Sequence, residues 1–146
     1  LDRFLMRIRL GYPGPKMERE LLKGEDRRKL LEASSPVISP DLIGELQVRV
    51  TKVFASEALL DYLQAIVRNT REQTEYESGL SPRAALSLLR SAQAWAMLHH
   101  RDAVLPEDLQ AVLPSVVGHR LRSRQDSGGA DPERIARQLL ESVPIP

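Results

Sequence analysis

The chain has 146 residues, of which 42% are hydrophobic, and its formal net charge is +1. That size and composition suffice for one domain, or for one domain and a fragment of another. The near-neutral balance excludes a protein that binds nucleic acid or a membrane surface through its overall charge. The chain has no cysteine, which excludes disulfides and thiolate metal sites and agrees with a cytoplasmic location.

The remaining ligand and membrane signals are also weak. His99, His100 and His119 have no metal-binding spacing, so we expect no metal site. No apolar run approaches the roughly 18 residues of a membrane span, and no signal peptide is visible, so we expect no membrane partner. Because the chain begins with Leu1, we expect it to be a piece of a longer protein.

The first 15 residues predict one strand and a turn. Apolar residues alternate with polar ones from residue 4 to residue 10, and the sequence GYPGP at residues 11–15 then stops the pattern. One strand cannot make a sheet. We therefore expect residues 1–15 to be a strand and a turn at the end of a larger α/β domain, and residues 16–146 to be an all-α helical bundle with a C-terminal helix.

The rest of the chain has helical periodicity. A charged helix, single or in two parts, is predicted after Pro15 with Gly24 as its stop, and a linker with two prolines follows. Further helices are predicted to begin near residues 41, 57, 82, 106 and 132. Three helix N-caps are expected: Ser56, Ser81 and Asp131. Pro114 and Gly118 are expected to bend or end the helix that begins near residue 106, and Trp95 and Met97 are expected to fill the core.

Arg83 is the residue that simple helix rules do not explain. Ser81 is the predicted N-cap and Pro82 the first helical residue, so Arg83 lies in the first turn, at the positive end of the helix dipole. One interpretation is an arginine that is solvated or paired with Glu75 or Glu77. The other is an arginine that faces an anion bound at the helix start.

The strings around Arg83 resemble those of a known family. The segment from GLSPR at residues 79–83 through HRD, VLPEDLQAV and HRL resembles the lid domain of MoxR-type AAA+ ATPases. LDRF at residues 1–4 and the GYP turn resemble the end of the same family's ATPase core, and VRNTR and LLESVPIP resemble other parts of its tail. The resemblance covers nearly the whole chain. One departure is His100, which stands where the family usually has glycine.

The resemblance implies a function and roles for individual residues. Arg83 would be the sensor-2 arginine that contacts ATP held with Mg²⁺ by the same chain, with Ser81 and Pro82 beside the nucleotide. Arg3 would be an arginine finger that reaches into a neighbouring subunit, or else a residue paired with a nearby acid. Tyr12 and Pro13 would border the adenine as a hinge, or else only pack the turn.

The family also implies partners. They would be the ATPase core of the same chain, further copies in a hexamer, and client proteins such as von Willebrand A-type proteins, which the full-length ATPase would remodel or mature in the cytoplasm. The sequence contains no G-x-x-x-x-G-K-[ST] phosphate loop, so these residues alone are expected neither to bind ATP appreciably nor to hydrolyse it.

An alternative function is a stand-alone helical interaction module. It would bind protein or DNA through the basic run around Arg120, which comprises His119, Arg120, Arg122 and Arg124. Such a run is more often a solvated helix end, so we do not expect a nucleic-acid partner.

Overall fold

The computed structural model describes residues 3–24, 27–124 and 131–145. Within these ranges the regular structure is helical, and the remaining pairing is limited to two isolated β-bridges. The predicted all-α class is thus confirmed. The helices are α1 (Pro15–Lys23), α2 (Arg27–Glu32), α3 (Pro40–Val50), α4 (Glu57–Glu72), α5 (Pro82–Leu98), α6 (Pro106–Val117) and α7 (Pro132–Ser142).

The chain divides into two compact units. One comprises Leu1–Ile8 and Gln47–Pro146, and the other comprises Arg9–Leu46. The expected boundary between residues 15 and 16 stays a prediction. In the part of the chain that the structure describes, no helix has both the length and the apolar run that a membrane crossing requires.

The strand predicted over residues 4–10 does not form. These residues adopt turns and irregular backbone, and several of their apolar side chains are exposed. The physical reason is that a strand is stabilised by hydrogen bonds to a neighbouring strand, and the described residues supply none. The alternating pattern of apolar and polar residues therefore did not predict the conformation of this segment.

The Arg9–Leu46 unit contains α1, α2 and most of α3. The helix α1 ends at Lys23, and Gly24 follows it as the predicted stop. Gly11 has φ +70°, a left-handed conformation that suits glycine in the GYPGP turn. None of the residues of this unit whose exposure is described is buried.

The core lies in the larger unit, where α5 packs against α4 and α6, and α7 packs against α4 and α6. The helices α4 and α6 also pack against each other, and α5 lies against both of them. Its alanines Ala84, Ala92 and Ala96 are completely buried, since small side chains let neighbouring helices approach closely. The largest fully buried apolar side chains are Ile66, Leu88, Leu109, Leu113, Ile135 and Leu139.

The helix starts follow the predicted caps. The side chains of Ser56, Ser81 and Asp131 accept hydrogen bonds from the amides of Leu59 (3.2 Å), Ala84 (3.1 Å) and Glu133 (3.4 Å).

The end of α6 was also predicted. Pro114 lies inside this helix, which continues to Val117 before Gly118 ends it. Of the two residues expected to bend or end this helix, Gly118 therefore ends it and Pro114 does not.

Trp95 does not fill the core as predicted. Its side chain is 39% exposed, and its ring lies 4.9 Å from that of His99 at a 36° tilt. Met97 is partly buried and packs against the core, as expected. The difference arises because Trp95 lies beside the buried alanine face of α5 and not on it.

Candidate functional site: the start of helix α5

The candidate site is the first turn of α5. Ser81 is the N-cap, Pro82 is the first helical residue and Arg83 is the second, with an exposed side chain. The Ser81 hydroxyl is occupied as an acceptor for the Ala84 amide, so its role in the structure is to cap the helix. A 17-residue helix then extends behind Arg83, and its dipole makes this end positive.

The loop before α5 lies directly on α4. A Cβ atom added to Gly79 would be 2.6 Å from the Cα of Arg71 and 2.8 Å from its backbone nitrogen. Real Cβ atoms do not approach backbone that closely, so this position requires glycine. The glycine of the GLSPR string therefore brings the start of α5 against the last turn of α4.

Two residues of α4 fix the next position of the loop. The Leu80 amide donates to the Thr70 hydroxyl oxygen at 3.0 Å, and the Leu80 carbonyl accepts from Nε of Arg71 at 2.9 Å. Thr70 is completely buried and donates in turn to the Val67 carbonyl at 2.7 Å. Because both polar groups of the Leu80 backbone are held, α5 begins at a defined place. Sequence reasoning missed this role, although VRNTR, which contains Thr70 and Arg71, was recognised as a family string.

The middle of the same loop pairs with the chain after α6. The Glu77 amide donates to the Arg122 carbonyl and the Arg124 amide to the Glu75 carbonyl, both at 2.9 Å. The Arg124 guanidinium also donates to the Tyr76 carbonyl at 3.1 Å. Tyr76 is buried, and burial raises the pKa of its hydroxyl, which the nearby Glu75 carboxylate raises further.

The HRD and VLPEDL strings are joined by an ion pair between Arg101 and Asp108. Both carboxylate oxygens of Asp108 accept from the Arg101 guanidinium, at 3.0 Å and 2.5 Å, and Asp108 also accepts from the Leu105 amide at 2.8 Å. Asp108 is 1% exposed, so the pair and the cap satisfy a buried charge. His100, just before Arg101, has φ +57°, the left-handed conformation that a glycine adopts without strain.

The basic run around Arg120 is largely used inside the molecule. His119 is buried, with Nε2 3.2 Å from the Phe4 carbonyl oxygen, and Arg120 donates to backbone carbonyls that include those of Phe4 and Leu5. Burial lowers the pKa of His119 below 6.5, and the charge of Arg120 lowers that pKa further. With Arg124 also holding Tyr76, the run gives little support to the alternative of a DNA-binding module.

The predicted site residues lie in three places. Ser81, Pro82 and Arg83 are consecutive at the start of α5, whereas Arg3 is exposed on the segment that leads into Phe4. Tyr12 and Pro13 belong to the Arg9–Leu46 unit, where Tyr12 is fully exposed. Among the described residues, no group of three histidine, aspartate or glutamate side chains is placed to hold a metal.

Comparisons with known proteins identify the class of this fold. Residues 68–139, from the end of α4 to α7, match the family model of the AAA lid domain. The chain is 35% identical to the uncharacterized protein YeaC of Bacillus subtilis, over 100% of this chain and 46% of that protein. It is 32% identical to the chaperone MoxR1 of Mycobacterium tuberculosis, over 99% of this chain and 41% of that protein.

A solved structure agrees with these relatives. A candidate ATPase from Cytophaga hutchinsonii superimposes with a TM-score of 0.81 at 29% identity, over 99% of this chain and 47% of that one. The chain belongs to the MoxR family of AAA+ proteins and corresponds to its lid portion. It spans less than half the length of the curated relatives it matches.

Proposed function

We propose that this chain is the lid of an ATPase that hydrolyses ATP and remodels client proteins as a chaperone. The observation that carries the proposal is the exposed guanidinium of Arg83 at the positive end of α5, on a loop fixed to α4 through Gly79 and Leu80. A helix start and an arginine together suit a phosphate group, since the fork donates to two oxygens and the dipole favours negative charge. The relative named as a chaperone supports the client-directed part.

Within this proposal Arg83 acts as sensor 2. It would donate to the phosphates of ATP bound by the same chain and neutralise the charge that develops as the γ-phosphoryl group leaves. Ser81 and Pro82 act beside it by fixing where the helix begins. Mg²⁺ would neutralise phosphate charge when bound, but the described residues show no ligand set for it and no step here depends on it.

The remaining roles concern the assembled protein. Arg3 would act as the arginine finger toward a neighbouring subunit of a hexamer, and Tyr12 and Pro13 would border the adenine at the hinge. The clients would include von Willebrand A-type proteins in the cytoplasm. Because the sequence lacks a phosphate loop, the 146-residue chain alone would bind ATP only feebly and show no turnover.

The experiment is Arg83→Ala in the full-length protein. Turnover should fall about 10–100-fold, which corresponds to about 1.4–3 kcal/mol, while ATP affinity should change far less. Arg83→Lys should restore little, because an ammonium lacks the planar fork. The matched control is Arg68→Ala, which removes an exposed arginine of α4 and should leave turnover unchanged.

The melting temperature separates a functional role from a structural one. Removal of a cation from the positive end of a helix should be neutral or slightly stabilising. Parental turnover in Arg83→Ala, or a large drop in its melting temperature, would contradict the proposal.

A further inference from the structure

The segment that follows Arg3 is attached to the end of α6 by hydrogen bonds. The Arg7 amide donates to the Ser115 carbonyl at 2.8 Å, and the Phe4 carbonyl oxygen lies 3.2 Å from Nε2 of His119. These contacts join residues that are more than a hundred positions apart in the chain. The attachment is therefore a tertiary feature and not a local turn.

Arg120 is the centre of this attachment. Its Nη2 donates to the Phe4 carbonyl at 2.5 Å and its Nη1 to the Leu5 carbonyl at 3.2 Å. The same guanidinium donates to the Val116 carbonyl in the last turn of α6 and to the Ser87 hydroxyl of α5 at 3.4 Å. Only an arginine has enough donors in a fixed plane to reach the segment and both helices at once.

Burial of apolar side chains contributes little to the attachment. Phe4 is 66% exposed, Leu5 is 51% exposed and Ile8 is 68% exposed. The segment therefore depends mainly on the polar contacts to its backbone. Removal of the Arg120 donors should release it, even though the core of the unit stays intact.

We propose that Arg120 is a positioning residue that couples the start of α5 to Arg3. The inference rests on the proposed function, in which Arg83 contacts ATP and Arg3 acts on the neighbouring site. Ser87 lies one helical turn after Arg83, and Phe4 follows Arg3 directly. The Arg120 guanidinium donates to both Ser87 and Phe4, so it links the neighbourhoods of the two arginines. A displacement of α5 on ATP binding or hydrolysis is transmitted through Arg120 to residue 4, and so to the arginine beside it.

The first test measures amide hydrogen exchange in the full chain. Arg120→Lys keeps the charge but not the fork, and it should speed exchange of the Arg7 amide at least about tenfold. The matched control is Arg122→Lys, two residues further along, whose side chain is exposed. The amide of Ala92, in the buried middle of α5, reports the stability of the whole unit and should not change.

Either of two results would overturn the attachment. One is an Arg7 amide that exchanges at the parental rate in Arg120→Lys. The other is an equal acceleration at Ala92, because that result would make Arg120 a residue of the fold as a whole. Ser87→Ala removes only the contact to α5, and it should leave the Arg7 amide protected.

The second test measures coupling in the full-length ATPase. Arg120→Lys should lower kcat without weakening ATP binding, and in an Arg3→Ala background it should lower kcat less than about twofold further. If the fold decreases in kcat of Arg120→Lys and Arg3→Ala multiply in the double variant, Arg120 does not act through Arg3. Full turnover in Arg3→Ala alone would remove the proposed finger and the coupling with it, while the Arg7 amide would still report the attachment.

Discussion

Gly79 lies against Arg71, so that a Cβ atom at residue 79 would come within 2.6 Å of the Cα of Arg71. This contact sets the place where the loop before α5 crosses α4. Both partners of the approach are backbone or near-backbone atoms, which cannot rotate away as the end of a long side chain can. The start of α5 is therefore built on a position that admits no side chain.

Gly79→Ala should destabilise the larger unit by about 1–3 kcal/mol, because the added methyl must push the loop away from α4. The same shift should break the Leu80 hydrogen bonds and speed exchange of the Leu80 amide. Urea unfolding measures the first effect and hydrogen exchange the second. Gly44→Ala is the control, since a Cβ there meets no atom within 4 Å, and it should not destabilise the protein. Equal stability of Gly79→Ala and the parent would contradict the close approach.

Asp108→Ala should cost about 2–4 kcal/mol of unfolding free energy. The change removes the partner of Arg101 and the acceptor for the Leu105 amide, and the cost is moderated because the Arg101 side chain is 32% exposed. Chemical denaturation measures it. Glu107→Ala alters the adjacent exposed carboxylate of the same helix turn and should cost less than about 0.5 kcal/mol. If Asp108→Ala lowers the unfolding free energy no more than the control does, the Arg101–Asp108 pair does not stabilise the protein.

His100→Gly should raise the unfolding free energy by about 0.5–1 kcal/mol. His100 has φ +57°, and glycine adopts that conformation without the steric cost of a Cβ atom. The gain is limited because glycine also gives the unfolded chain more freedom. His99→Gly is the matched comparison: residue 99 has φ −96° and its ring contacts Trp95, so that change should destabilise. A lower melting temperature in His100→Gly would contradict the strain.

Stability should fall with acid partly through His119. The pKa of His119 is lowered in the folded protein, first by burial and then by the charges of Arg120 and Arg7. The neutral imidazole is therefore favoured by folding. Its contribution is fully present above the unfolded pKa of about 6.5 and is lost as the pH falls through the lower folded pKa.

His119→Gln keeps a donor for the Phe4 carbonyl but cannot gain a proton, so its unfolding free energy should depend less steeply on pH below about 6.5. Urea unfolding over a pH series measures both slopes. His99 and His100 are exposed and remain in both proteins, which makes the comparison specific to residue 119. Identical slopes would show that His119 titrates alike in the folded and unfolded chains.

Sequence reasoning succeeded where the controlling interactions are local. Ser56, Ser81 and Asp131 cap helices because a short polar side chain reaches an amide two or three residues ahead, whatever the rest of the fold does. The all-helical class follows from the same local periodicity. For Arg83, helix rules alone leave open whether the side chain is solvated or faces an anion, and the prediction of a nucleotide phosphate depends on the resemblance of the surrounding strings to a known family.

Sequence reasoning failed where the conformation of a residue depends on partners that are distant in the chain. The alternating segment at residues 4–10 has the chemistry of a strand but no neighbouring strand among the described residues. Thr70 anchors Leu80 across a loop whose path cannot be read from a helical pattern. The basic run looked like a solvated surface, yet Arg120 holds backbone carbonyls from the opposite end of the chain.

The placement of Trp95 gives the protein an optical reporter of its own. It is the single tryptophan of the chain, and it lies on α5, the helix that carries Arg83 and is packed against α4 and α6. Its indole emission therefore comes from one known site in the larger unit. Because the side chain is already 39% exposed when folded, unfolding should shift the emission only modestly, and loss of the neighbouring His99 ring should contribute to the change. The denaturation curves needed for Gly79, Asp108 and His119 can thus be followed by intrinsic fluorescence without any added label.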